Sequence, residues 1–467
     1  MAADSTAAGP LGPPGPSAPI TAAPASPSAS ATTAAPSDPA VGKPDGREQS
    51  TRGRGLGRRA FLGRVGLVGA GGIAGGVTGA LVEHATGSNG PSPRERERAR
   101  AVAAVRPTGP HQPGIADPPA AHLVFTAYDL TGDAAASAAQ AHSALRELLT
   151  AWTRAAATLM AGEQPASGGQ RTLGLAPSAL TVTFGLGASA LTRAGLATRI
   201  PPQLAPIPAF PHDQLDPARR DGDLAVQICA EDPMVAASAA RTLDVLARRH
   251  ASPRWRQHGF RRSAAASDDP TGTPRNLMGQ LDGTNNPAAG TAVFDLAVWA
   301  DAGAPAWMTG GSYLVARRIR MVLDRWDLLT VDAQAKVIGR RKDSGAPLSG
   351  GSEHTDPDFL ARTADGSPII PANSHVRLSH PQFNNGVRML RRGYSYQDGL
   401  DADGDPDAGL FFLAYQADPR TAFTAVQRKL DRLDALSAFV RHTGSALFAI
   451  PPAAPPGGHV GQQLLES

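Results

Sequence analysis

The chain has 467 residues, one cysteine (Cys229) and a formal net charge of only +4. A lone thiol excludes an intrachain disulfide and a cysteine-built metal cluster, and so small a charge gives nucleic acid no folded basic patch to grip. No apolar run is long and clean enough for a typical membrane-spanning helix.

Residues 1–50 are rich in Ala, Pro, Ser and Thr and nearly devoid of large apolar side chains. Such a segment buries too little surface to offset its ordering entropy and is expected to be disordered. Residues 51–87 read as an export signal. Arg58-Arg59-Ala60-Phe61-Leu62 is followed by a weakly apolar, glycine-rich run from Val65 to about Val82. Paired arginines ahead of a mildly hydrophobic stretch match the twin-arginine type; a basic linker before a membrane-skimming helix is the alternative. Glu83-His84-Ala85 and Ala99-Arg100-Ala101 are both candidate cleavage regions. The long stretch ahead of the arginine pair suggests a start codon further downstream. Residues 88–120 read as a linker.

Folded chain is expected from about Ala121, in two halves spanning 121–270 and 271–455. The first half begins with a strand, Leu123–Leu130, and a helix from about Ala134 to Ala161. Alternation predicts strands at Leu180–Leu186 and Leu224–Cys229, with Cys229 as buried packing, and a helix covers Ser238–Arg249. In the second half, Tyr313–Leu323 is a strand or strand pair. A helix starts at Asp324 and continues near Val331–Gly339. Residues 340–372 read as a polar surface loop. A buried strand follows at Gly409–Gln416, then a helix from about Arg420 to His442, and 456–467 form a tail. Runs of strands and helices in this order give an α+β fold with mostly antiparallel sheets.

The chemistry is concentrated in two runs. In Arg275-Asn276-Leu277-Met278-Gly279-Gln280-Leu281-Asp282-Gly283-Thr284-Asn285-Asn286-Pro287, one carboxylate stands between two glycines. The glycines permit unusual backbone angles and close approach of a flat ligand. Read alone, Asp282-Gly283 could equally be an ordinary turn. The second run is His375-Val376-Arg377-Leu378-Ser379-His380-Pro381, followed by Met389-Leu390-Arg391-Arg392-Gly393-Tyr394. A neutral imidazole from either His375 or His380 can bind a metal.

Together these runs resemble the dye-decolourising (DyP-type) haem peroxidases, with their G-x-x-D-G motif and a His-Val-Arg segment followed by Leu-Arg-Arg-Gly-Tyr. The twin-arginine signal resembles that of the branch containing the deferrochelatase/peroxidase of bacterial iron uptake. The resemblance covers roughly Ala121 to Pro451. It implies tandem duplicated ferredoxin-like domains, with one haem b in the second half. His375 would be the iron ligand. Asp434, in preference to Asp431, would orient it. Asp282 would act as acid and base on hydrogen peroxide, and Arg391 would stabilise developing negative charge. Gly283, Thr284 and Asn285 would line the haem edge, with His380, Pro381 and Gln382 nearby. Leu410 and Phe412 would wall the pocket from one strand face. Arg317 would pair with a propionate, and Arg392 would face outward or toward a propionate. Tyr394 and Tyr396 would carry oxidising equivalents outward, or simply pack. Gln280-Leu281 departs from the aromatic and basic residues of many relatives, so substrate access is expected to differ.

The implied function is oxidation of an organic donor (a dye, phenolic or porphyrinogen) by hydrogen peroxide through a ferryl intermediate, after export by the twin-arginine translocase to an extracytoplasmic site. Removal of iron from haem, with iron-uptake partners, is a second reading, and non-catalytic haem binding a third. Nucleic acid is not an expected partner; self-association is left open.

Overall fold

The computed structural model describes residues 91–466, except 166–169, 264, 265, 267, 268, 270, 271 and 302. The expected tail and export signal therefore lie outside the described residues. Helix α1 (Pro93–Val102) opens with a capping box, in which Ser92 and Glu95 satisfy each other's backbone N–H groups.

The first half contains β1 (His122–Leu130), α2 (Ala138–Met160), β2 (Thr181–Leu186), α3 (Ala188–Arg193), β3 (Leu224–Ala230), α4 (Pro233–Ala247) and β4 (Ala251–Phe260). The second contains α5 (Ala292–Val298), β5 (Ser312–Met321), α6 (Leu323–Asp327), α7 (Val331–Ile338), α8 (His375–Ser379), β6 (Leu390–Arg391), β7 (Tyr394–Leu400), β8 (Pro406–Gln416), α9 (Phe423–Leu433) and β9 (Val440–Ile450). A last helix, α10 (Gln462–Leu465), follows.

Each half has the same plan. The strand order is β4-β1-β3-β2 in the first and β9-β5-β8-β7 in the second, antiparallel throughout. This is a ferredoxin-like unit used twice. The halves join at two thin seams, Phe260 opposite Ser395 and Leu186 opposite Ala449. With β5 also paired to β8, the strands run in a closed circuit.

Period-two alternation sorts the side chains. Phe125, Phe411, Leu413, Tyr415 and Phe448 meet between the two sheets. The opposite faces receive the helices. In the first half α2 and α4 bury a continuous apolar layer around Trp152, Leu148, Leu243 and Phe184. In the second half the helix-side contacts divide into two small groups, one around Phe210, Val315 and Phe423 and one around Met278, Met321 and Trp326. The space between them is the cavity described below.

Several expected boundaries move. The helix expected over 420–442 stops at Leu433, because the Asp434 carboxylate accepts from the Leu436 N–H (2.9 Å) and starts a short 3-10 turn instead. Val440 then begins β9. Strands β4 and β7 escaped the sequence reading because their polar residues lack a clear alternating pattern. The 88–120 segment is more than a linker, since Gln112 bonds both the N–H and C=O of Phe184. The 456–467 tail packs Val460, Leu464 and Leu465 into the first-half core. The 340–372 insertion lacks helix and strand, yet it buries Phe359 and Ile370.

Candidate active site

The cavity lies between the outer face of β5, β8 and β9 and the helices of the second half. Ile319, Met321, Leu410, Phe412 and Val440 supply the sheet wall; Val376, Val426, Leu430 and Leu436 supply much of the helix wall. This is a largely apolar slot with polar groups at a few points, the usual build of a cofactor pocket.

His375 is the first residue of α8 and faces the cavity. Its Nδ1 lies 2.6 Å from Asp434 Oδ2, and Asp434 is almost wholly buried. The segments are tied together by the Ala435 N–H, which donates to Asn373 O (3.0 Å). Gly339, at a positive φ of 96°, lets the end of α7 approach Ser374; a Cβ there would meet Ser374 Oγ at 3.1 Å. Burial opposes a charge on His375, but the Asp434 charge and hydrogen bond outweigh it, so its pKa is raised. Among the described residues, Nε2 has no hydrogen-bond partner.

Asp282 and Arg391 form the second pair, with Arg391 Nη1 donating to Asp282 Oδ1 at 3.0 Å. Asp282 sits in a loop whose shape follows from its sequence. The Asn276 side chain accepts from the N–H groups of Met278 and Gln280, while Gly279 takes a left-handed conformation (φ 76°). Arg275 ties the loop to the carbonyls of Gly279, Lys342 and Asp343. Arg391 ends the two-residue β6, and Arg392-Gly393 separate β6 from β7. A Cβ at Gly393 would lie 3.0 Å from the Leu410 side chain.

Gly283, Thr284, Asn285, His380, Pro381, Leu410 and Phe412 also line the cavity, as the sequence reading expected. Thr284 donates to Glu353 of the insertion (2.8 Å), and Asn285 accepts from Arg388 (3.0 Å). Three expectations need correction. Gln382 is exposed and does not line the cavity. Arg317 is fully buried, pairs with Asp213 and does not line the cavity. Arg392 is only 2% exposed and donates to the carbonyls of Ile115 and Asp117, so it faces neither outward nor the cavity. Tyr394 and Tyr396 are both buried in the inter-sheet core. The sequence reading missed Arg340, Arg388 and His442 at the cavity wall. Arg388 lies just before the second motif, and His442 was hidden by the over-long helix.

A family model described as Dyp-type peroxidase, N-terminal, matches residues 112–261, and one described as Dyp-type peroxidase, C-terminal, matches 273–455. The chain belongs to the Dyp-type peroxidase family. It is 46% identical to the dye-decolorizing peroxidase of Thermobifida fusca (strain YX), over 90% of this chain and 99% of that protein. It is 35% identical to the deferrochelatase of Escherichia coli (strain K12), over 76% of this chain and 86% of that one. The structure of ferric DtpA from Streptomyces lividans superposes with a TM-score of 0.75 at 47% identity, covering 79% of this chain and 99% of that chain.

Proposed function

We propose that this chain is a haem b peroxidase in which His375 holds the iron and Asp282 and Arg391 act on hydrogen peroxide. The observation that carries the reading is the convergence of two polar pairs, His375–Asp434 and Asp282–Arg391, on one apolar slot. The donor set suits haem. A histidine that ligates through Nε2 needs an acceptor for its Nδ1–H, and Asp434 provides it. His380 is a poorer candidate. Its Nδ1 accepts from the Gln382 N–H (3.3 Å), which puts the ring proton on Nε2 and leaves no free lone pair.

Bound haem would supply the redox chemistry, giving two electrons to each peroxide and regaining them from an organic donor. The protein supplies position and proton transfer. Asp282 takes the proton from one peroxide oxygen and returns it to the other, which departs as water. Arg391 keeps Asp282 oriented and offsets negative charge as the O–O bond lengthens. Asp434 fixes the His375 tautomer and increases its electron donation.

The visible spectrum tests this reading. The haem-loaded protein should show a Soret band that shifts with one equivalent of hydrogen peroxide. His375→Ala should lose or alter that band. Asp282→Ala should keep it but react about 10²–10⁴-fold more slowly. A haem-loaded wild type indifferent to peroxide would defeat the proposal. Iron removal, suggested by the deferrochelatase relatives, would instead leave an intact, fluorescent, iron-free porphyrin. The arginine pair Arg58-Arg59 supports export by the twin-arginine route to an extracytoplasmic site. An Arg58→Lys, Arg59→Lys double variant should then remain in the cytoplasm; unchanged export would reject that route.

A further inference from the structure

Asp282 and Arg391 come from segments more than a hundred residues apart in sequence, and neither lies inside a long regular element. Something must fix their separation. One side chain grips the backbone of Arg391 from both sides. The Arg391 N–H donates to Asn286 Oδ1 (3.1 Å), and Asn286 Nδ2 donates to the Arg391 carbonyl oxygen (2.7 Å). The amide thus behaves as a one-residue strand partner at the point where β6 ends. Asn286 is itself held four residues beyond Asp282. Its N–H closes a turn on Gly283 O (2.9 Å), and Gly283 has a φ of 131°. Pro287 follows, which restricts Asn286 to extended backbone.

We infer that Asn286 is a positioning residue for the peroxide reaction: it locks the Asp282 loop to the Arg391 backbone and so sets the Arg391–Asp282 contact. The inference rests on the proposed roles of that pair. An alanine at 286 leaves the Arg391 N–H and C=O without these partners and lets the pair separate. With its cation displaced, Asp282 is no longer held in one orientation, so its proton transfer to and from peroxide slows. Asp at 286 keeps the acceptor but loses the donor, and so should fall between wild type and Ala.

The test compares wild type, Asn286→Ala, Asn286→Asp and Arg391→Ala. Hydrogen exchange followed by mass spectrometry reads the peptide containing Arg391, without dependence on turnover. Stopped-flow spectra with hydrogen peroxide read the rate of the reaction. Asn286→Ala should exchange faster at that peptide and react at least tenfold more slowly with peroxide, and Asn286→Asp should regain part of both. Its haem content and ferric Soret band should stay unchanged. Asn286→Ala with wild-type exchange and a wild-type rate with peroxide, beside an impaired Arg391→Ala, would overturn the inference while sparing the catalytic reading. Slowing that merely tracks haem loss would also overturn it, by showing a structural role alone. If wild type and Arg391→Ala react alike, the catalytic reading fails, and the inference with it; the exchange result then reports only a backbone contact.

Discussion

The two halves share one strand order, yet the apolar slot that gathers the two polar pairs lies in the second. In the first half the segment after the opening strand forms a single 23-residue helix, α2, capped by Ser137. Its stripe of Ala141, Leu145, Leu148, Trp152 and Leu159 fills the space above the sheet. In the second half the corresponding segment is broken into α6, α7 and α8, of 5, 8 and 5 residues, with the insertion between the last two. Short helices cannot cover the sheet as one long helix does. The sheet wall therefore stays bare where Leu410 and Phe412 face the cavity. The duplicated fold obtains a pocket by interrupting its helix layer, and the sheet is left as it was.

Substitutions on the two sides should separate filling from binding. The largest effect is expected at Trp152, fully buried, stacked on Phe184 at 5.5 Å and bonded to Leu243 O at 3.0 Å. Trp152→Ala should cost about 3–5 kcal/mol in denaturant unfolding; peroxide reactivity of the folded fraction should not change. Asp434→Asn should do the reverse. Haem affinity should fall about 10–100-fold as a neutral amide replaces the carboxylate that partners His375 Nδ1, with apoprotein stability much less affected. An unchanged haem titration would reject Asp434 as the orienting group. Phe412→Ala enlarges a space that already exists, so the loss of apoprotein stability should be well under that of Trp152→Ala. Equal losses would show that the second half is packed as tightly as the first.

The smallest effect concerns acid. Burial, followed by the Arg317 charge, pushes the His442 pKa down to about 3. An unfolded histidine titrates near ~6.5, so the unfolded chain binds this proton more readily than the fold does. Apoprotein stability should therefore fall as pH drops from about 6.5 toward 3. His442→Gln should move the midpoint of acid unfolding to lower pH. A midpoint that stays put would mean that the cavity lets this ring charge freely.

How much of this was legible depended on the range of the interaction. Strand β1, the paired α2 and β2, and the buried β3 follow from periodicity, because each side chain's fate is set by neighbours two to four residues away. The Asp282 turn was equally readable, since its glycines act locally. Strands β4 and β7 were not, because their polar residues show no clear alternation and only their pairing with other segments, β1 and β8, marks them as strands. Arg317 and Arg392 were misplaced for the same reason: Asp213 and the Ile115 and Asp117 carbonyls reach them from distant segments. Asn286 was visible as a letter beside Asp282, but its grip on Arg391 spans 105 residues.

By itself, then, the sequence determined which side chains carry charge, which segments bend and which faces are apolar, as these are properties of short windows of chain. Tertiary structure decided that His375 would meet Asp434, that Asp282 would meet Arg391, and that both pairs would open onto one slot. Those outcomes depend on distances between segments that only the closed circuit of strands fixes, and no local pattern encodes such a distance.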